Sequence, residues 1–330
     1  MHNLALALHH KGFKVTGSDD EFFEPSKSRL ANAGLLPEKT GWHAERITSE
    51  LDAVILGMHA REDNPELIEA RRLGIKVYSF PEYLYEQTKN KIRVVIGGSH
   101  GKTTTTSMIM HVLRTLGKDF DYMVGAQIEG FDTMVRLTEE APVAIFEGDE
   151  YLSSPLDLTP KFHRYKPNVA LLTGIAWDHI NVFPTWDNYV SQFATFAQTI
   201  EPKGSLIYYD GDVELCKIAS ALRDDVKALP YSGLNYTLYG DTTIVTYEDK
   251  QYNINVFGKH NMQNMHGALL ACMQIGIAPH DFFKAIESFY GAAKRLQKLK
   301  ETASSVAYLD FAHSPSKLKE TTDAVRARYL

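Results

Sequence analysis

The chain has 330 residues, 44% of them hydrophobic and 23% charged, which is enough for two or three ordinary cores and lacks the composition of a disordered segment. A net charge of −6 excludes a broad basic field for nucleic acid or an anionic membrane, so any phosphate ligand has to be held by local geometry. Cys216 and Cys272, far apart and outside any Cys-x-x-Cys pair, exclude a disulfide framework and a thiolate zinc site and suit a cytoplasmic chain.

In chain order, the apolar run 4–8 is too short for a signal core and lacks a basic flank; nothing later approaches a membrane span. Residues 1–12 read as a helix closed by Gly12. A strand over 13–16 follows, with Gly17, Ser18 and Asp19 at its carboxyl end, where open α/β sheets read a ribose or diphosphate. The strand and glycine turn that would precede such a helix are absent, so the chain is expected to begin inside its first motif. Residues 53–56 read as a strand and Asn64 as the cap of a helix with Pro65 at its first position. Gly74 ends that helix, and 75–78 are the next strand. These elements make a small α/β unit of about 90 residues, which the polar segment 85–91 leaves as a linker.

A second unit opens on a buried strand, 92–96, a turn, Gly97-Gly98-Ser99-His100-Gly101-Lys102-Thr103-Thr104, and a helix over 105–116. That order builds a phosphate cradle: glycines let N–H groups converge, the helix adds its positive end, lysine supplies a mobile charge and Thr103 a magnesium ligand. The spacing is shorter than the standard loop, with two residues between Gly98 and Gly101, but the strand-turn-helix context restores the reading. Residues 143–146 form a buried strand that delivers Glu147, Gly148, Asp149 and Glu150 to its carboxyl end. Strand 169–172 delivers Thr173, Gly174 and then Asp178-His179. Both ends are expected to face the loop, with Glu147 best suited to magnesium and His179 to a second cation or the transferring phosphate.

Further on, a strand is read at 205–209, a hairpin at 242–246 with 252–256, and helices at 262–275 and 281–289. Asn261 and Asn264, three apart, suit the paired donor and acceptor edge of adenine, with helix capping by Asn261 as the competing explanation. A third unit starts after Gly291, with a strand at 306–309, Asp310 at its end and a helix over 315–328. Some thirty residues cannot bury a core alone, so this is either an appendage of the second unit or the start of a third domain. Lys294-Arg295 and Asp310 flank its entrance, suited to phosphate and to ribose or an incoming amine, with a surface charge pair as the alternative for Lys294.

Taken together these residues resemble the Mur ligases, the ATP-dependent amide-forming enzymes of peptidoglycan synthesis, over essentially the whole chain. Gly98-Ser99-His100-Gly101-Lys102-Thr103-Thr104 is similar to the family's Gly-Thr-x-Gly-Lys-Thr-Thr loop, which accounts for the short spacing. Glu147 falls at the family's magnesium glutamate, Asp178-His179 at its Asp-His pair, and residues 258–264 at its adenine-contacting Gly-x-His-Asn-x-x-Asn.

The resemblance implies three domains: 1–88, a Rossmann-like UDP-substrate domain lacking its first strand; 89–291, a central P-loop NTPase-like α/β domain; and 292–330, the incomplete beginning of a carboxyl-terminal α/β domain. It implies ATP and Mg2+ as cofactors, Lys102, Glu147, His179 and Arg295 as catalytic residues, and Thr103, Glu147 and His179 as metal ligands. Gly98, Ser99, His100, Gly101, Lys102, Thr103, Thr104, Asn261, Asn264 and Asp310 would contact ATP. Ser18, Asp19, His59 and Asn64 would contact UDP-N-acetylmuramate.

Residues 149–151, 161–167 and 310–313 are closer to the branch that recycles the murein tripeptide L-Ala-γ-D-Glu-meso-diaminopimelate than to the L-alanine-adding branch. The implied reaction phosphorylates the UDP-N-acetylmuramate carboxylate, and an amine then attacks the acyl phosphate. The chain departs from the family in offering no lysine over 191–198, in carrying Lys294-Arg295 for Arg-Arg, and in carrying Leu309-Asp310 for Asp-Asp. A binding-only fragment without turnover is the alternative from another class, and a kinase using the same loop is a weaker one.

Overall fold

The computed structural model describes residues 1–177, 182–239, 242–292, 295–302, 304–312 and 315–329. The chain opens with α1 (His2–His10) and α2 (Ser26–Asn32), then β1 (Ala53–Leu56), α3 (Pro65–Arg72), β2 (Lys76–Ser79) and α4 (Phe80–Thr88). β1 and β2 pair in parallel, the arrangement a strand-helix-strand unit requires. α3 starts where the sequence says, because Asn64 Oδ1 accepts from the N–H groups of Glu66 and Leu67 at 3.0 and 3.1 Å and Pro65 needs no partner at the first position.

Two expectations fail here. Residues 13–16 form no strand: three of the four are exposed, and the β1–β2 sheet has only two strands, so this segment has no ladder to join. The segment 85–91 is no linker either, since residues 85–88 are the last turn of α4. Its start is fixed by a capping box in which Ser79 and Glu82 satisfy each other, and Pro81, Leu84 and Thr88 recur on its buried face.

The central unit contains β3 (Ile92–Gly97), α5 (Lys102–Thr115), β4 (Asp121–Met123), β5 (Val135–Arg136), β6 (Val143–Glu147), β7 (Val169–Leu172), α6 (Trp186–Gln198), β8 (Ser205–Tyr209), α7 (Val213–Ser220) and β9 (Lys227–Tyr231). Its seven strands lie in the order β5-β4-β6-β3-β7-β8-β9, all parallel except β5. Successive residues of a strand point to opposite faces, and both faces here are apolar. Val94, Ile96, Ile145, Leu171 and Ile207 enter one core with α5. Val95, Ala144, Phe146, Ala170, Leu172 and Leu206 enter the other, with α1 and α6. That double burial is why these strands read as continuous hydrophobic runs. β3 lies in the middle, paired Ile96 to Glu147 on one side and Gly97 to Leu172 on the other, so three carboxyl ends meet at one edge.

β10 (Tyr236–Tyr239), β11 (Thr242–Tyr247) and β12 (Lys250–Ile254) form an antiparallel sheet over the first core, where Tyr252 stacks on Phe283 at 4.5 Å. The second hairpin strand arrives two residues earlier than expected, because Glu248 and Asp249, at φ +46° and +61°, make a two-residue turn. α8 (Lys259–Gln274) and α9 (Pro279–Ile286) follow, both against α5. β13 (Gln297–Glu301) pairs antiparallel with β14 (Val306–Leu309), ahead of α10 (Pro315–Tyr329). Phe257, Leu296 and Ala324 form the small core beneath them. Among the described residues no helix is long and apolar enough to cross a membrane.

Candidate phosphate-binding active site

The loop between β3 and α5 is tighter than its sequence suggests, because α5 begins at Lys102 rather than at 105, with Gly101 as its cap. The N–H groups of Lys102 and Thr103 therefore lie in the first turn, where no carbonyl inside the helix can take them. Gly98 and Gly101 have φ of +126° and +80°, which L side chains adopt only under strain. A Cβ at Gly98 would also clash with Thr173 Oγ1, and one at Gly101 with Asn264 Oδ1. Thr173 fastens the loop by donating to the Gly97 and His100 carbonyls, and the Ser99 N–H donates to the Gly174 carbonyl at 2.9 Å.

Acidic groups from β6 meet this loop. Lys102 Nζ donates to Glu150 Oε2 at 2.7 Å and to the Gly98 carbonyl at 2.5 Å, and Glu150 is fully buried. Burial lowers the affinity of the Lys102 ammonium for its proton, but Glu150, with Asp149 and Glu147 behind it, outweighs burial and raises its pKa above the usual lysine range. Thr103 Oγ1 donates to Glu147 Oε1 at 2.9 Å, while Glu147 Oε2 accepts from the Gly125 N–H at 3.1 Å. Asp149 is engaged elsewhere, by Lys161 Nζ at 2.6 Å.

A hydroxyl and a carboxylate side by side at the mouth of a glycine loop are hard oxygen donors of the kind magnesium takes, together with phosphate oxygens and water. Among the described residues no three His, Cys, Asp or Glu side chains converge as a metal cluster, so the fit is to a cation shared with a phosphate rather than to a closed protein cage.

The sequence profile of the Mur ligase middle domain matches residues 96–272, and that of the Mur ligase family catalytic domain matches residues 1–91. The chain belongs to the Mur ligase family. Among its relatives is the UDP-N-acetylmuramate–L-alanine ligase of Lactiplantibacillus plantarum, 29% identical over 100% of this chain and 73% of that protein. The UDP-N-acetylmuramate–L-alanyl-γ-D-glutamyl-meso-2,6-diaminoheptandioate ligase of Haemophilus influenzae is 28% identical, over 99% of this chain and 74% of its own length. In fold, a murein peptide ligase from Psychrobacter arcticus superposes with a TM-score of 0.77 at 24% identity, over 99% of this chain and 74% of that one.

The remaining described candidates of this Mur ligase fall in three places: in α8, near β13 and β14, and in the amino-terminal unit. Asp178 and His179 lie outside the described residues, as does Lys294. In α8, Asn264 abuts Gly101, whereas Asn261 turns back on its own helix and donates from Nδ2 to the Phe257 carbonyl at 2.7 Å. Asn261 is the third residue of that helix, so it binds a carbonyl upstream and does not cap the N–H groups. Near β13 and β14, Asp310 Oδ2 accepts from the Leu296 N–H at 2.6 Å and the Arg295 guanidinium lies over the Phe311 ring at 5.4 Å.

The amino-terminal candidates form their own group. Ser18 Oγ donates to Glu66 Oε1 at 2.7 Å and accepts from Arg46 at 3.1 Å; Asp19 accepts from the Asp20 N–H; Asn64 caps α3; and His59 is exposed. Sequence reasoning missed Tyr189, whose hydroxyl lies 2.9 Å from Ser99 Oγ, and it named Glu150 only as one acid of three. Nothing in the spacing separates these acids, and an aromatic on an amphipathic helix reads as core.

Gly101→Ala tests the cradle. A side chain at φ +80° against Asn264 costs about 1–3 kcal/mol unless the loop moves. If the loop moves, it gives up charge-assisted N–H contacts of about 1.5–3 kcal/mol to phosphate. The expected result in calorimetric titration is a loss of MgATP affinity on the order of 10-fold or more; unchanged affinity would contradict a backbone cradle.

Proposed function

We propose that this chain joins the tripeptide L-Ala-γ-D-Glu-meso-diaminopimelate to UDP-N-acetylmuramate in peptidoglycan recycling, in the cytoplasm, at the expense of ATP. Mur ligases are ATP-dependent ligases that form amides, and what carries the reading to these residues is the pairing of Lys102 with Glu150 beside that of Thr103 with Glu147. The N–H groups of the loop bind the triphosphate, and Lys102 follows charge as it builds on the transferring phosphoryl group. Thr103 and Glu147 would hold the magnesium ion, with His179 as a further ligand; the ion neutralises phosphate charge when bound. Arg295 would stabilise charge on the acyl phosphate, and Asp310 and Asn264 would contact the nucleoside. Ser18, Asp19, His59 and Asn64 would orient the UDP-sugar so that its carboxylate meets the γ-phosphate in line.

The tripeptide as amine is supported by residues 149–151, 161–167 and 310–313. L-Alanine is the second reading, favoured by the Lactiplantibacillus relative. Offering each amine with ATP, magnesium and UDP-N-acetylmuramate, and reading the nucleotide-sugar product by mass spectrometry, separates them. The tripeptide adduct is expected to form faster; an L-alanine adduct alone would overturn the first reading in favour of the second.

A further inference from the structure

Glu150 has its two carboxylate oxygens in different use. Oε2 accepts from Lys102 at 2.7 Å, and Oε1 accepts from the Tyr189 hydroxyl at 3.1 Å. Because that hydroxyl spends its proton on Glu150, its bond to Ser99 at 2.9 Å runs the other way, with Ser99 donating. Ser99 Oγ in turn accepts from the Ala176 N–H at 2.9 Å. The hydrogen bonds thus run in one direction, from the Ala176 amide through Ser99 and Tyr189 to a buried carboxylate that Lys102 also serves. The sequence separations show what this chain of bonds joins: the end of β6, the phosphate loop, the segment after β7, and α6. Tyr189 is fully buried, with its ring edge-on to Phe193 at 5.2 Å and beside Phe183 at 5.4 Å, so its hydroxyl has a fixed place.

We infer that Tyr189 is a positioning residue for the nucleotide: it sets how far Glu150 draws Lys102 and holds Ser99 of the loop against the segment after β7. This rests on the nucleotide reading above. The physical reason is charge compensation. A buried carboxylate that loses a hydroxyl donor draws more strongly on the cation beside it. Without the phenol, Lys102 is drawn toward Glu150 and away from the phosphates, and Ser99 loses its acceptor. The consequence falls on ATP and leaves the UDP-sugar untouched.

Tyr189→Phe keeps the ring and its packing, so it isolates the hydroxyl. With MgATP as titrant, well below the melting temperature, the variant is expected to bind about 5- to 10-fold more weakly, the size of one ordinary hydrogen bond. Its UDP-N-acetylmuramate affinity is expected to stay at the wild-type value. Glu150→Gln removes the charge that Tyr189 compensates, so adding Tyr189→Phe to Glu150→Gln is expected to cost less than it does alone. A lower melting temperature with unchanged MgATP affinity would make Tyr189 purely structural and overturn the inference while leaving the nucleotide reading intact. Additive effects in the cycle would also overturn it. If the unmodified chain does not bind MgATP, both fall.

Discussion

Lys102→Ala is expected to cut ATP-dependent turnover about 10³-fold or more, because in the proposed mechanism the lysine would be the mobile cation that follows charge onto the transferring phosphoryl group. The structure adds a second effect. Glu150 is fully buried and ion-paired with Lys102, so the alanine variant takes a cation away from a carboxylate inside the protein. Breaking a buried pair from one side costs about 3–5 kcal/mol, so the single variant is expected to lose stability as well as activity. The double variant Lys102→Ala/Glu150→Gln separates the two, since the neutral amide no longer needs a cation. Thermal melts should recover most of the loss in the double variant, while ADP release stays as low as in the single one. Recovery of turnover along with stability would show that Lys102 serves the fold alone.

Arg93→Ala is expected to have a large effect on stability with little on nucleotide binding. Arg93 is nearly fully buried, at 2% exposure, and its guanidinium donates to the carbonyls of Tyr165, Lys166, Thr88, Lys89 and Lys91 at 2.9–3.0 Å and to Glu201 at 3.0 Å. It closes the carboxyl end of α4, where a cation is favoured, and ties that helix to β3 and to the segment before β7. Burial lowers its pKa, and Glu201 and Tyr85 offset part of that shift. Removing it strands several carbonyls and one carboxylate, a loss of about 3–5 kcal/mol, or a fall in melting temperature on the order of 10 °C. Arg93 is at the opposite end of β3 from the loop, roughly 13 Å along the strand. MgATP affinity at low temperature is therefore expected to hold. A stability loss under about 1 kcal/mol in urea unfolding would contradict the account.

These two residues also show what a sequence can and cannot carry. β3, β6 and β7 were legible because strands buried on both faces are short apolar runs, and a glycine turn before a threonine-rich helix has few uses other than phosphate. Their order in the sheet then follows from parallel pairing, which brings Glu147 within reach of Thr103. α4 was hidden because its last turn is polar, although Ser79-x-x-Glu82 with Pro81 was a start signal in plain view.

β13 was hidden for a different reason. All five of its residues are exposed, and pairing with β14 rather than burial makes it a strand. The strand expected at 13–16 had the right pattern but no neighbour. Within the site, the division of labour among Glu147, Asp149 and Glu150, which meet Thr103, Lys161 and Lys102 respectively, depends on which way a three-residue turn leaves β6. Tyr189, 39 residues from Glu150, carries no motif at all.

The most direct measurement is ADP release with substrates omitted one at a time. Release is expected when ATP, magnesium, UDP-N-acetylmuramate and the amine are all present, and little when either the nucleotide sugar or the amine is left out. Equal release from ATP and magnesium alone would contradict it, because the loop at 98–104 would then be hydrolysing ATP without activating a carboxylate.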